Sequence, residues 1–206
     1  TPTTSEPNTT TSVATPTERL KNKRLNFGTL NIDCAKRNRS PFNLISDIKH
    51  FLTQHDIDVL SITEADFGST AEAEDFIIDG YKTFLPPKIP KNDRVRIVIV
   101  VRNEYEKYVR ERSNLMTTNI FPTVWIELSL PGSPRYVLGC AYREWGNGPS
   151  KHVEAQIVRL NTLKEQLLKS TTGSSTVWLA GDWNLDLSQC DDPGWPLKSV
   201  TLKFTE

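Results

Sequence analysis

The chain has 206 residues, ample for one α/β domain with a tail and short for two. Lysine plus arginine balance aspartate plus glutamate at 25 each, so no overall field steers the chain toward nucleic acid, and local patches must supply any such attraction. Its three cysteines, Cys34, Cys140 and Cys190, stand far apart, which excludes a disulfide scaffold and a zinc knuckle and predicts free thiols in an intracellular protein.

No apolar run approaches the roughly 18 residues that span a bilayer, and no secretory leader opens the chain, so a soluble protein is expected. Residues 1–24 form a Thr/Ser/Pro-rich lead-in. Almost nothing apolar lies in it to offset its ordering entropy, and disorder is predicted. Lys21, Lys23 and Arg24 at its end read as a charged linker or as a phosphate contact. The chain opens on Thr1 and not on methionine, and Val200 to Glu206 begins what reads as another strand. The expectation is a piece of a longer protein, with one domain over residues 25–206 that lacks its last strands.

The first strand is predicted from Leu25 to Asp33. Ser40-Pro41 then opens a helix, serine as N-cap and proline at the first position, where its missing N–H costs nothing. Leu44, Ile45, Ile48, Phe51 and Leu52 give that helix one apolar stripe to about His55. The next strand is Asp58 to Thr63, which makes a βαβ unit with a parallel pair. Glu64 to Asp79 is acidic and less regular, and Gly80 to Leu85 reads as a short strand. Arg94 to Val101 is a β-branched run with no breaker, the strongest strand signal in the chain. Pro122 to Leu130 and Arg135 to Tyr142 form a hairpin across Pro131-Gly-Ser-Pro134. Ser150 caps a second amphipathic helix through Val153, Ile157, Leu160, Leu163 and Leu167, and Thr176 to Ala180 is a strand reaching Gly181. Strand–helix–strand units mixed with hairpins imply a packed α/β sandwich with helices outside the sheets.

Polar residues collect where these strands end. Asn31 closes the first, with Asp33 two residues on and so on the same strand face. Glu64 follows the second, Tyr142 and Arg143 a later one, and Asp182 and Asn184 the last. Each has a plainer explanation: Asn31 as a turn former, Glu64 as a helix N-terminal acid behind Thr63, Asp33 and Asp182 as loop starters, Tyr142-Arg143 as an ordinary strand end. Jointly they place carboxylates from separate strands on one rim, where open α/β sheets bind ligands. Such carboxylates repel unless a cation lies between them. Oxygen donors without histidine or cysteine nearby suit Mg²⁺ or Mn²⁺. Lys36, Arg37 and Arg39 lie just past Asn31 beside a helix N-terminus, placed either to meet a phosphate backbone or to form a solvated loop.

Thr29-Leu-Asn-Ile-Asp33, Leu60-Ser-Ile-Thr-Glu64, Tyr142-Arg-Glu-Trp145 and Gly181-Asp-Trp-Asn184, in this order, resemble the endonuclease/exonuclease/phosphatase superfamily. The form of the last two is most similar to the endonuclease domain of non-LTR retrotransposons. The resemblance implies a DNase-like four-layer α/β/β/α sandwich, incomplete at the C-terminus. It also implies Mg²⁺-dependent (or Mn²⁺-dependent) hydrolysis of a DNA phosphodiester. Asn31, Asp33 and Glu64 would hold the metal, with Glu64 the main ligand. Tyr142 would contact the scissile phosphate or help orient the nucleophile, Asp182 would orient or deprotonate the attacking water, and Asn184 would hold phosphate or water. Lys36, Arg37, Arg39 and Arg143 would contact the nucleic acid. A reverse transcriptase domain would follow in the intact protein, whose site of action would be the nucleus.

One departure stands out. The family closes its site with a late Ser-Asp-His segment, whereas this chain has only His50, His55 and His152 and none after Asn184. A weak or inactive nuclease is therefore expected from these residues. The competing readings are a phosphatase or phospholipid-type hydrolase of the same fold, and a non-catalytic binding module on the same scaffold.

Overall fold

A computed structural model describes residues 24–33, 41–88, 94–116, 122–143, 149–171, 173 and 175–183. The lead-in before Arg24, the Ser40 cap, the trio Lys36, Arg37 and Arg39, and everything from Asn184 to Glu206 lie outside the described residues.

Strand β1 (Phe27–Asn31), helix α1 (Pro41–Gln54) and strand β2 (Val59–Phe67) form the expected βαβ unit with a parallel pair, Phe27 opposite Val59 and Asn31 opposite Thr63. Strands β3 (Tyr81–Phe84) and β4 (Val95–Arg102) complete a sheet of order β1-β2-β4-β3. A second sheet, of order β5-β6-β7-β8, holds β5 (Val109–Glu111), the hairpin β6 (Thr123–Leu128) and β7 (Arg135–Tyr142), and β8 (Ser175–Asp182). Strands β7 and β8 run parallel, joined by a long crossover helix (Pro149–Ser170). That helix begins at Pro149, so Ser150 lies in its first turn and does not cap it.

The acidic stretch predicted as irregular contains a short helix α2 (Thr70–Glu74), and we label the crossover helix α3. Ser69 caps α2: its side chain accepts from Glu72 N at 3.1 Å, while the Glu72 carboxylate accepts from Gly68 N at 2.9 Å. Short 3₁₀ turns at Asn103–Tyr108 and Ser113–Leu115 flank β5, which the sequence did not signal.

The period-2 alternation of the strands builds three apolar layers. On the outer face of the first sheet, Leu60, Ile62, Val98 and Val100 pack under Leu44, Ile48 and Leu52 of α1. Between the sheets, Val59, Ile97, Ile99 and Val101 meet Val124, Ile126, Leu128, Leu138 and Cys140. On the outer face of the second sheet, Leu163 of α3 packs with Trp125, Val137 and Ala141. The result is the expected four-layer α/β/β/α sandwich.

Of the three cysteines, Cys140 is described: a free, fully buried thiol in the inter-sheet layer. At the end of the sheets opposite the strand termini discussed below, the buried carboxylate of Asp58 ties the elements together. It accepts from Asn26 N at 2.9 Å and from the Tyr105 hydroxyl at 3.3 Å, and lies 3.4 Å from Arg102 Nε.

Candidate active site

Because β1 and β2 are parallel, as are β7 and β8, all four strands deliver their C-terminal ends to one rim. The two sheets stack with β1 against β8 and β2 against β7. Asn31 and Asp182 therefore face each other across the rim, and so do Glu64 and Tyr142. The side chains meet. Asn31 Nδ2 donates to Asp182 Oδ2 at 3.0 Å, and the Tyr142 hydroxyl donates to Glu64 Oε1 at 3.3 Å. Residues separated by 151 and 78 positions in sequence are thus joined at one place.

Each side chain arrives there for a local reason. Asn31 is the last residue of β1, and its Oδ1 accepts from Asp33 N at 2.9 Å, closing a tight turn. Asp33 has a φ of 44° and is exposed, so it sits in that turn and not on the strand face that its spacing predicted. The side-chain hydrogen bond of Asn31 stops the strand two residues earlier than expected.

Glu64 also differs from its predicted place. It does not follow β2 but lies inside it, at a bulge where the pairing with β4 shifts between Thr63 and Phe67. Leu60 and Ile62 face α1, and so do Ala65 and Phe67, a phase slip of one residue centred on Glu64. Glu64 and Asp66 adopt φ values of 55° and 51°, a left-handed backbone that is costly for residues with a side chain. The bulge turns a carboxylate out of a strand that would otherwise bury it.

Asp182 is the last residue of β8, in register with Tyr142. The strand runs through Gly181 instead of stopping there. A Cβ at position 181 would lie 2.1 Å from the Ala141 carbonyl oxygen, so only glycine lets β8 approach β7 this closely.

Arg143 is not a surface contact. It is fully buried; its backbone N donates to Asp182 O at 2.9 Å and its Nε to the Trp183 carbonyl. Burial pulls its pKa down to about 10, and Arg159 adds to this while Asp182 opposes it. The side chain clamps the Asp182-Trp183 segment from within the protein. The sequence pattern could not separate that role from phosphate binding, since both place a cation beside the strand end.

Three rim residues carried no expectation. Asp66 pairs with Arg94 at 2.9 Å and with Arg96 at 2.7 Å, and the Arg96 guanidinium lies 4.8 Å over the Tyr142 ring. A signal was present in Arg94-Val-Arg96: an antiparallel β4 brings its first residues to the end of β2.

The donors at the rim are hard oxygens. Glu64 Oε1 is taken by Tyr142, and among the described residues Oε2 has no hydrogen-bond partner, which fits a hard cation. Among the described residues no three His, Cys, Asp or Glu side chains cluster as a ready-made cage.

The fold is that of DNase-like hydrolases. An AP endonuclease from Leishmania major superposes with a TM-score of 0.60 at 20% identity over 81% of this chain and 57% of its own. TDP2 from D. rerio, solved with a single-strand DNA product, gives 0.57 at 14% identity over 86% and 64%. A mannosyl-6-phosphatase from Bacteroides thetaiotaomicron gives 0.55 at 14% over 80% and 67%. The chain thus spans a little over half to two thirds of these structures. No family model and no curated protein matches the sequence.

Proposed function

We propose that this chain carries the catalytic half-sites of a metal-dependent phosphodiester hydrolase acting on nucleic acid. The observation that supports it most is the convergence of Asn31, Glu64, Tyr142 and Asp182 on one rim of a DNase-like sandwich, through the two cross-sheet hydrogen bonds. The sequence forms Tyr142-Arg-Glu-Trp145 and Gly181-Asp-Trp-Asn184 favour DNA nicking of the retrotransposon type, with a reverse transcriptase following in the intact protein. The D. rerio neighbour solved with single-strand DNA lends weight to a nucleic-acid substrate.

In this reading Glu64 would hold Mg²⁺ or Mn²⁺, with Asn31 and Asp33 beside it. The bound ion supplies charge stabilisation at the phosphate oxygens. Asn31 fixes one oxygen of Asp182 by its amide donor, which orients the carboxylate to hold and deprotonate a water. The Tyr142 hydroxyl is a donor to Glu64 that a phosphate oxygen can take over. Asn184, two residues past Asp182 in the sequence, would hold the phosphate or the water by the resemblance. Arg143 keeps the Asp182-Trp183 backbone in place from below.

The test is turnover of supercoiled plasmid against p-nitrophenyl phosphate in Mg²⁺, for the native chain and Asp182→Ala. We expect slow plasmid nicking, in keeping with the weak activity expected from these residues, that falls at least about 100-fold in the variant, the scale of a lost general base. Preferential turnover of the monoester would favour the phosphatase reading. No turnover of either, with DNA still bound, would leave a binding module.

A further inference from the structure

We propose that Arg94 and Arg96, held by Asp66, form a subsite for a second phosphate next to the scissile one. It rests on the hydrolase reading above and narrows its substrate to a nucleic-acid strand, as against a small phosphoester. Asp66 lies in the bulge two residues from Glu64, in a left-handed backbone. Its carboxylate is only 13% exposed and meets both guanidinium groups. Both arginines are thereby fixed beside the candidate reaction centre.

The two arginines divide the work. Arg96 is 20% exposed and stacks over the Tyr142 ring, so it is fixed against the side chain that hydrogen bonds Glu64. Arg94 is 49% exposed, with one terminal nitrogen 2.9 Å from Asp66 Oδ2. A guanidinium held on one side by a carboxylate and open on the other is preorganised for a phosphate. Arg94 extends the cationic surface outward from Arg96 and Tyr142. A polymer with regularly spaced phosphates can place one at the centre and its neighbour on Arg94, whereas a monoester has nothing to place there.

Arg94→Gln tests this on two substrates: a short oligonucleotide and bis(p-nitrophenyl) phosphate, a diester with no neighbouring phosphate. Loss of one phosphate contact should raise KM for the oligonucleotide about tenfold, with kcat within about twofold. The loss on the oligonucleotide should exceed that on the small diester by at least about fivefold, and Arg94→Lys should recover most of it. Equal losses on both substrates, or an unchanged oligonucleotide KM, would overturn the subsite. If the native chain turns over neither substrate, the hydrolase reading fails by itself, and fluorescence anisotropy of a labelled oligonucleotide still decides the subsite. Binding weakened about tenfold in Arg94→Gln, with the salt slope reduced by about one phosphate, supports it; equal affinities and slopes overturn it.

Discussion

Glu64 is where backbone cost and chemistry meet. Its φ of 55° costs about 1–2 kcal/mol for a residue with a Cβ, and no apolar contact repays that at a half-buried rim position. Glu64→Gly should therefore leave the melting temperature unchanged or raise it, because relief of the left-handed strain offsets the lost hydrogen bond from Tyr142. The same variant should lose plasmid nicking. A fall in stability together with full activity would mark Glu64 as structural. Polar residues at strand ends were legible in the sequence because hydrophobic runs stop visibly. The bulge was not. Between Thr63 and Phe67, β2 carries two residues more than β4 does between Ile97 and Val95, and the composition of Leu60 to Phe67 does not show it. Asp33 was misplaced for a related reason: spacing of two implies one face only while the strand continues, and the Asn31 side chain ends it.

At the scale of elements, β7 and β8 carry half of the rim, and their closeness depends on Gly181. A Cβ there would collide with the Ala141 carbonyl, a backbone atom that cannot yield without parting the strands. Gly181→Ala should cost more than about 3 kcal/mol in urea unfolding and displace Asp182, so activity falls even below the unfolding transition. A milder test concerns α2, where Ser69→Ala removes the cap to Glu72 N and should cost about 1 kcal/mol with little effect on nicking. That helix could have been found from Ser69-x-x-Glu72, a capping-box spacing, but its five residues are too short to show helical periodicity. Strand β5 and the turns beside it had no such signal. They are shaped by packing against β6, a partner that local sequence does not name.

For the whole molecule, the sandwich is pinned at both ends of its sheets. The rim gathers the candidate site, and the far end is tied by Asp58, Arg102, Asn26 and Tyr105. Between them, burial pushes the Cys140 thiol from 9.0 up to about 12. The folded chain then keeps a proton that the unfolded chain loses. Stability accordingly falls as pH rises from about 9 toward about 12. Urea unfolding of Cys140→Ala should show a shallower alkaline loss than the native chain, and equal slopes would contradict this placement of the thiol. The layered architecture was readable throughout because βαβ and hairpin patterns leave few ways to stack two sheets. Which side chains would meet across them depended on twist and register, and these arise only when the sheets pack.

The Mg²⁺ dependence of oligonucleotide cleavage, compared between the native chain and Glu64→Gln, tests the central claim most directly. Cleavage should rise and saturate with Mg²⁺ in the native chain, while Glu64→Gln should stay folded, need at least about tenfold more Mg²⁺ and cleave far more slowly. Cleavage that is indifferent to Mg²⁺, or a variant that responds to the ion as the native chain does, would contradict it.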